Sequence, residues 1–239
     1  MSYKSEEIKI EVKKMADNIE KETASTKLNA FIENKKKVFI TILVIVLCVI
    51  AAVVVCSVVT NNAKVSNLTT LDDISYTLTD GSENLEESEL TARRVDALEK
   101  LEKLNGMGGI VGARSNMLTA EILFQQKKYS EAADAWKKTA EKASKSYIAP
   151  IAYYNLAVCY EQLGQSEDAI ANYKKAADDK DFIMNTHAAF SYGRALEEAG
   201  KFAEAFAAYS DLYDRKPDDS WAKLAKTRMI TLQVEGKAE

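Results

Sequence analysis

The feature that most limits how this chain can fold is the run from Val38 to Thr60, VFITILVIVLCVIAAVVVCSVVT. It contains no charged residue, no Gly and no Pro, and Val, Ile and Leu dominate it. As a helix rising 1.5 Å per residue it reaches about 34 Å, enough to cross a hydrocarbon core of ~30 Å. A buried helix of a soluble core rarely stays uncharged on every face for that length, so the run reads as a single membrane span. Residues 1–37 then form a tail on one side, and residues 61–239 lie on the other.

The flanking charges predict the orientation. Lys27, Lys35, Lys36 and Lys37 precede the run, whereas Lys64 is followed by Asp72 and Asp73. The positive-inside rule places the tail in the cytoplasm and the larger C-terminal part across the membrane. A cleaved signal peptide has a shorter basic region and an apolar stretch of about 7–15 residues, so an uncleaved signal anchor fits better. Neither Cys48 nor Cys56 is preceded by the small residue expected before a lipidated cysteine. The formal net charge of −4 divides unevenly: the tail, with nine Lys and seven acids, carries +2 and the rest −6. An acidic extramembrane part argues against nucleic acid as a partner, because phosphate binding needs a basic face. Cys159 is the lone cysteine outside the span, so residues 61–239 can form neither an internal disulfide nor a cysteine metal site.

Within the tail, Ile8, Val12, Met15 and Ile19 are spaced by four, three and four, which puts a narrow apolar stripe on a helix over about 5–21. Thr23–Thr26 (TAST) is expected to interrupt it. Residues 61–85 are rich in Ser, Thr, Asn and Asp and read as a linker. Leu68, Leu71, Ile74 and Leu78 fit a short helix there, while Ile74, Tyr76 and Leu78 alternate as in a strand; the pattern does not choose between them. A formal glycosylation sequon at Asn67-Leu68-Thr69 lies too close to the span to be used. Residues 86–112 comprise a helix over 86–104, with Leu90, Ala97, Leu101 and Leu104 on one face, and a glycine cluster, Gly106-Met-Gly-Gly-Ile-Val-Gly112. That cluster follows a helix and lacks the Gly-Lys-Ser/Thr ending of a phosphate loop, so it is expected to be a helix stop and flexible turn.

From Ala113 the chain repeats. The middle copy reads Tyr153-x-x-Leu156-Ala157-x-x-Tyr160, then Gly164, then Ala169-x-x-x-Tyr173. A later copy reads Ala189-x-x-Tyr192-Gly193-x-x-Leu196, then Gly200, Ala205-x-x-x-Tyr209 and Pro217. An earlier one reads Asn116-x-x-Thr119-Ala120-x-x-Leu123, then Ala132-x-x-x-Trp136. Ala132, Ala169 and Ala205 are 37 and 36 residues apart. Each unit is expected to be two helices with a turn at Lys127-Lys128, Gly164-Gln165 or Gly200-Lys201. Ala120, Ala157 and Gly193 let paired helices approach, and Trp136, Tyr173 and Tyr209 fill the space between hairpins. No hairpin buries its apolar face alone, so stacked copies share one core and need capped ends. A final helix over 220–234 carries Trp221, Leu224, Ala225, Arg228, Met229 and Leu232 and suits one cap, and the helix over 86–104 suits the other.

Residues 113–219 resemble the tetratricopeptide repeat family, with its W-x₂-L-G-x₂-Y, A-x₃-F and closing Pro pattern. The overall plan is similar to bacterial signal-anchored envelope proteins with such repeats, the ancillary translocon subunit among them. The expected fold class is therefore all-α: one transmembrane helix followed by an α-solenoid of about three such hairpins with capping helices. The resemblance implies a concave groove lined by the first helix of each hairpin, with Met117, Glu121, Tyr154, Val158, Phe190 and Arg194 on it and Arg114 and His187 nearer the rim. Co-chaperone members grip a C-terminal carboxylate with a Lys/Asn/Arg set; at the matching positions stand Met117, Glu121, Asn155 and Arg194, with no lysine.

No catalytic constellation is visible. His187 is the single histidine and has no partner for a triad or a metal site, and Cys159 occupies a small-residue position of the repeat. The reading is a non-enzymatic adaptor without cofactor, held by its span in a bacterial inner membrane, N-terminus cytoplasmic and repeats periplasmic. It binds a partner protein or peptide, in translocation, folding or envelope assembly. A scaffold subunit of a large envelope machine, such as a division or flagellar-motor assembly, is the alternative, and an organelle-membrane receptor is a further placement. The sequence leaves the oligomeric state open.

Overall fold

The computed structural model describes residues 3–238, apart from the side chains of residues 3–9 and 24. Every regular element among them is helical. The chain divides into two compact units, Met1–Ala63 and Lys64–Glu239.

Residues 3–63 of the first unit all belong to helix α1 (Tyr3–Thr79). It has a stretch long and apolar enough to cross a membrane, and residues 38–60 are exposed on every face of the helix. Two threonine hydroxyls of this stretch bond within the helix: Thr41 Oγ1 donates to the Lys37 carbonyl (2.9 Å) and Thr60 Oγ1 to that of Cys56 (2.8 Å). Such internal pairing is what a lipid environment demands. The interruption expected at Thr23–Thr26 does not occur. Ser25 and Thr26 donate back to the Glu22 carbonyl at 2.9 and 2.7 Å, and Thr23 to that of Ile19, so the hydroxyls bond along the helix without breaking it. Val12, Met15 and Ile19 are exposed; the Ile8 side chain lies outside the described residues.

The second unit begins with the last turns of α1, and here the helical reading of the expected linker holds through Thr79. Leu71 (0% exposed) and Ile74 (4%) are buried with Ala97, Leu101 and Leu104 of α2 (Glu87–Asn105) and Val111, Leu118 and Ile122 of α3 (Gly109–Gln125). Leu68 and Leu78 pack at the margin of this cluster. Arg93 on α2 donates to the Thr77 and Asp80 carbonyls at 2.8 and 2.7 Å, satisfying acceptors that the end of α1 leaves open. The glycine cluster is only partly a turn, because α3 starts at Gly109 and includes Gly112. A Cβ on Gly112 would stand 1.8 Å from the Met107 carbonyl oxygen, so this glycine serves close packing.

Three hairpins follow: α3 with α4 (Tyr129–Lys142), α5 (Ile148–Gln162) with α6 (Ser166–Asp178), and α7 (Asn185–Glu198) with α8 (Phe202–Arg215). Each turns the same way. Lys127, Gly164 and Gly200 take φ of 60, 69 and 76°, and the next backbone N–H reaches back to the Leu123, Tyr160 or Leu196 carbonyl at 2.9 Å. This is the left-handed closure that favours glycine, and Lys127 adopts it at a steric cost. Ala120 and Ala157 are fully buried, and the aromatic wedges Trp136, Tyr173 and Tyr209 are 2, 1 and 0% exposed. Helix α9 (Ser220–Val234) closes the stack, its first turn capped by Asp219 accepting from the Trp221 N–H at 2.8 Å. Ala222, Ala225 and Leu232 of α9 join the core cluster of the last two hairpins. The second unit is an α-solenoid of helical hairpins.

Candidate protein-binding groove

The solenoid sets α5, α7 and α9 side by side, and an aromatic run crosses their shared face. Tyr154 on α5 lies edge-on to Tyr173 (centroids 5.3 Å apart), and its hydroxyl is 3.2 Å from His187 Nε2 on α7. His187 stacks on Trp221 of α9 at 3.9 Å with 13° between planes. Desolvation, and then the nearby Arg194 charge, hold the imidazole below its ordinary pKa and favour its neutral form. Tyr154, His187 and Trp221 are each half-buried.

Two polar devices flank this run and share one design. Glu161, near the end of α5, accepts from the Tyr173 hydroxyl at 2.8 Å and from Arg194 at 2.6 Å; Arg194 also pairs with Glu198 at 2.7 Å. One repeat on, Glu197 accepts from the Tyr209 hydroxyl at 3.1 Å and pairs with Arg228 of α9. Each glutamate therefore joins its own hairpin's second helix to the helix that follows the hairpin. The first hairpin has Phe124, Trp136 and Val158 at the corresponding positions and lacks the device. Glu161 and Glu197 were not among the expected site residues, although the identical glutamate-to-tyrosine separation of 12 residues was visible in the repeat.

The expected groove residues do not share one environment. Tyr154 and His187 meet directly, and Met117 and Val158 are half-buried beside the core clusters. Arg114 and Arg194 are held in ion pairs, Arg114 with Asp72 at 2.6 Å. Glu121 lines a recess of about 290 Å³ with Leu78, Arg93, Arg94 and Gln125. Desolvation there raises its carboxyl above the usual range, although much of the residue's surface remains exposed. Phe190 corrects the expectation: it is 8% exposed, with ring centroids 5.6 Å from Tyr209 and 5.4 Å from Trp221, so it belongs to the packing of α7, α8 and α9. Cys159 is fully buried and burial pushes its thiol up to about 12, which suits packing and not nucleophilic use. Among the described residues no group of three or more His, Cys, Asp or Glu side chains is arranged to hold a metal ion.

Stacked helical hairpins with an aromatic face across their first helices define a protein-interaction scaffold. Residues 150–178 and 184–220 each match a tetratricopeptide repeat model, coinciding with α5–α6 and α7–α8. A "TPR repeat-containing protein" of Treponema pallidum (strain Nichols) is 37% identical to this chain over 128 residues, 54% of each. The match thus spans about half the length of that curated relative. The second and third hairpins are therefore similar to tetratricopeptide repeats, units that indicate a protein–protein interaction module.

Proposed function

We propose that the chain is a non-enzymatic, membrane-anchored adaptor that holds a partner protein or peptide on the face formed by α5, α7 and α9. The extracytoplasmic side of a bacterial inner membrane is the compartment that fits the lysine flank before Val38 and the acids after Lys64. Translocation, folding or envelope assembly is the work that such a placement serves. The observation that carries the binding reading is the half-exposed aromatic run Tyr154–His187–Trp221. Rigid aromatic rings offer large contact area at low entropic cost. Because Arg194 and Arg228 are already paired with glutamates, the face suits an apolar or aromatic segment better than a free terminal carboxylate.

A photoreactive residue placed at Tyr154 in cells tests this reading. It should yield one dominant crosslinked protein, and that protein should be lost when Trp221→Ala is added while helical circular dichroism is retained. Equal crosslinking with and without Trp221→Ala would move the binding surface elsewhere.

A further inference from the structure

The connections between consecutive hairpins all lie at one edge of the second unit, and so does the point where the chain enters it. Asn67 Nδ2 donates to Met107 Sδ at 3.4 Å, which places the start of the unit beside the α2–α3 connection. Lys142 Nζ, at the end of α4, reaches the Met107 carbonyl at 2.8 Å and joins the α4–α5 connection to the same edge. Thr186 Oγ1, just past the α6–α7 connection, bonds Asp219 of the α8–α9 connection at 3.3 Å.

This edge carries apolar side chains that the core does not use. Tyr147 in the α4–α5 connection is 74% exposed, and Ile183 in the α6–α7 connection is 94% exposed with Met184 (41%) beside it. Their neighbours Ile148 (1%) and Phe182 (6%) are the residues that fasten each connection to the core. An almost fully exposed isoleucine beside a buried phenylalanine contributes nothing to the hairpin's own stability. Exposed lysines accompany them at 145, 180 and 216, one in each connection. Two of the neighbouring acids are engaged in their own turns: Asp179 accepts from the Asp181 N–H at 3.0 Å and Asp219 from the Trp221 N–H. Asp181 and Asp218 remain exposed, so the edge is close to electrically balanced and is not a basic patch.

We propose that this edge, through Tyr147, Ile183 and Met184, lies against the lipid surface of the membrane that the Val38–Thr60 span crosses. The proposal rests on that span. Only three residues lie between Thr60 and Lys64, so in any conformation the entry point stays within about 14 Å of the end of the span. A tyrosine ring and aliphatic tips beside lysines match the amphipathic layer at headgroup depth, where aromatic side chains partition and lysine stems reach out to phosphate. With balanced charge, the contact is apolar and does not need anionic lipid. A partner protein covering the same edge is the competing occupant.

The test uses the full chain in phosphatidylcholine vesicles, with Cys48→Ala and Cys56→Ala and with the buried Cys159 retained. An environment-sensitive fluorophore is attached through Tyr147→Cys, Ile183→Cys or Gln165→Cys, the last in the α5–α6 turn at the opposite edge. The labels at 147 and 183 should emit further to the blue and be quenched several-fold more strongly by headgroup nitroxide lipids than the label at 165. Equal, water-like quenching at all three sites overturns the proposal, as does a blue shift without lipid quenching, which would mark a protein occupant. A chain that fails to float with vesicles refutes the span itself and the proposal with it, an outcome distinct from a floating chain whose edge stays in water.

Discussion

At Gly193 the repeat departs from its own pattern for a measurable reason. The first two hairpins carry Ala120 and Ala157 at this position, but a Cβ on Gly193 would lie 2.5 Å from Tyr209 Cε1 and 2.7 Å from its Cδ1. Tyr209 is fully buried and its hydroxyl is held by Glu197, so the ring has little room to retreat. Gly193→Ala gains about 1 kcal/mol of helix propensity and loses about 1–3 kcal/mol to overpacking. The expected outcome is a net loss of up to about 2 kcal/mol in urea unfolding, and a higher midpoint would contradict the packing. The small residue was legible in the repeat pattern, whereas the need for glycine over alanine depends on how far the Tyr209 ring projects. Phe190 teaches the same lesson. Its position on the first helix fitted the groove, and packing against Tyr209 of α8 and Trp221 of α9 buries it.

At the scale of elements, the end of α1 is where composition misled most. Ser, Thr, Asn and Asp between residues 61 and 85 read as a linker, yet their hydroxyls bond back along the helix, as Thr77 does to the Asp73 carbonyl at 2.8 Å. Helix and strand patterns were both present in Leu68, Leu71, Ile74, Tyr76 and Leu78; burial selects the helix, since Leu71 and Ile74 face α2 and α3 while Tyr76 is 65% exposed. These turns therefore cover the first hairpin much as α9 covers the last. Leu71→Ala should cost about 2–5 kcal/mol, the range for emptying a fully buried leucine site. The loss should appear as weakened amide-exchange protection in α2 and α3, with α7 to α9 little changed, because solenoid stability is close to a nearest-neighbour sum. Protection that stays unchanged in α2 and α3 would show that the first hairpin stands without the end of α1.

For the whole molecule, the charge asymmetry around the span gives the prediction with the widest reach. With Lys27, Lys35, Lys36 and Lys37 close before Val38 and acids soon after Lys64, alkaline phosphatase fused after Glu239 should be active in a bacterial host, and a cytoplasmic reporter at the same place silent. The reverse result would put the repeats in the cytoplasm and require a cytoplasmic partner.

What the sequence determined by itself is whatever depends on local chemistry and period. An uncharged run of aliphatic residues is long and apolar enough to cross a membrane, by length and composition alone. A spacing of 36 to 37 residues between alanine anchors is a stack of hairpins, because no single hairpin buries its own apolar face. The tertiary structure decided what depends on groups brought together from distant positions. Glu161 and Arg194 are 33 residues apart in the chain and 2.6 Å apart in space, so a cation expected to face a ligand is instead tied into the joint between hairpins. Tyr154, His187 and Trp221 become one surface only when three helices align. Tyr147 and Ile183 are ordinary connection residues until the stack sets them along the edge where the chain leaves its span.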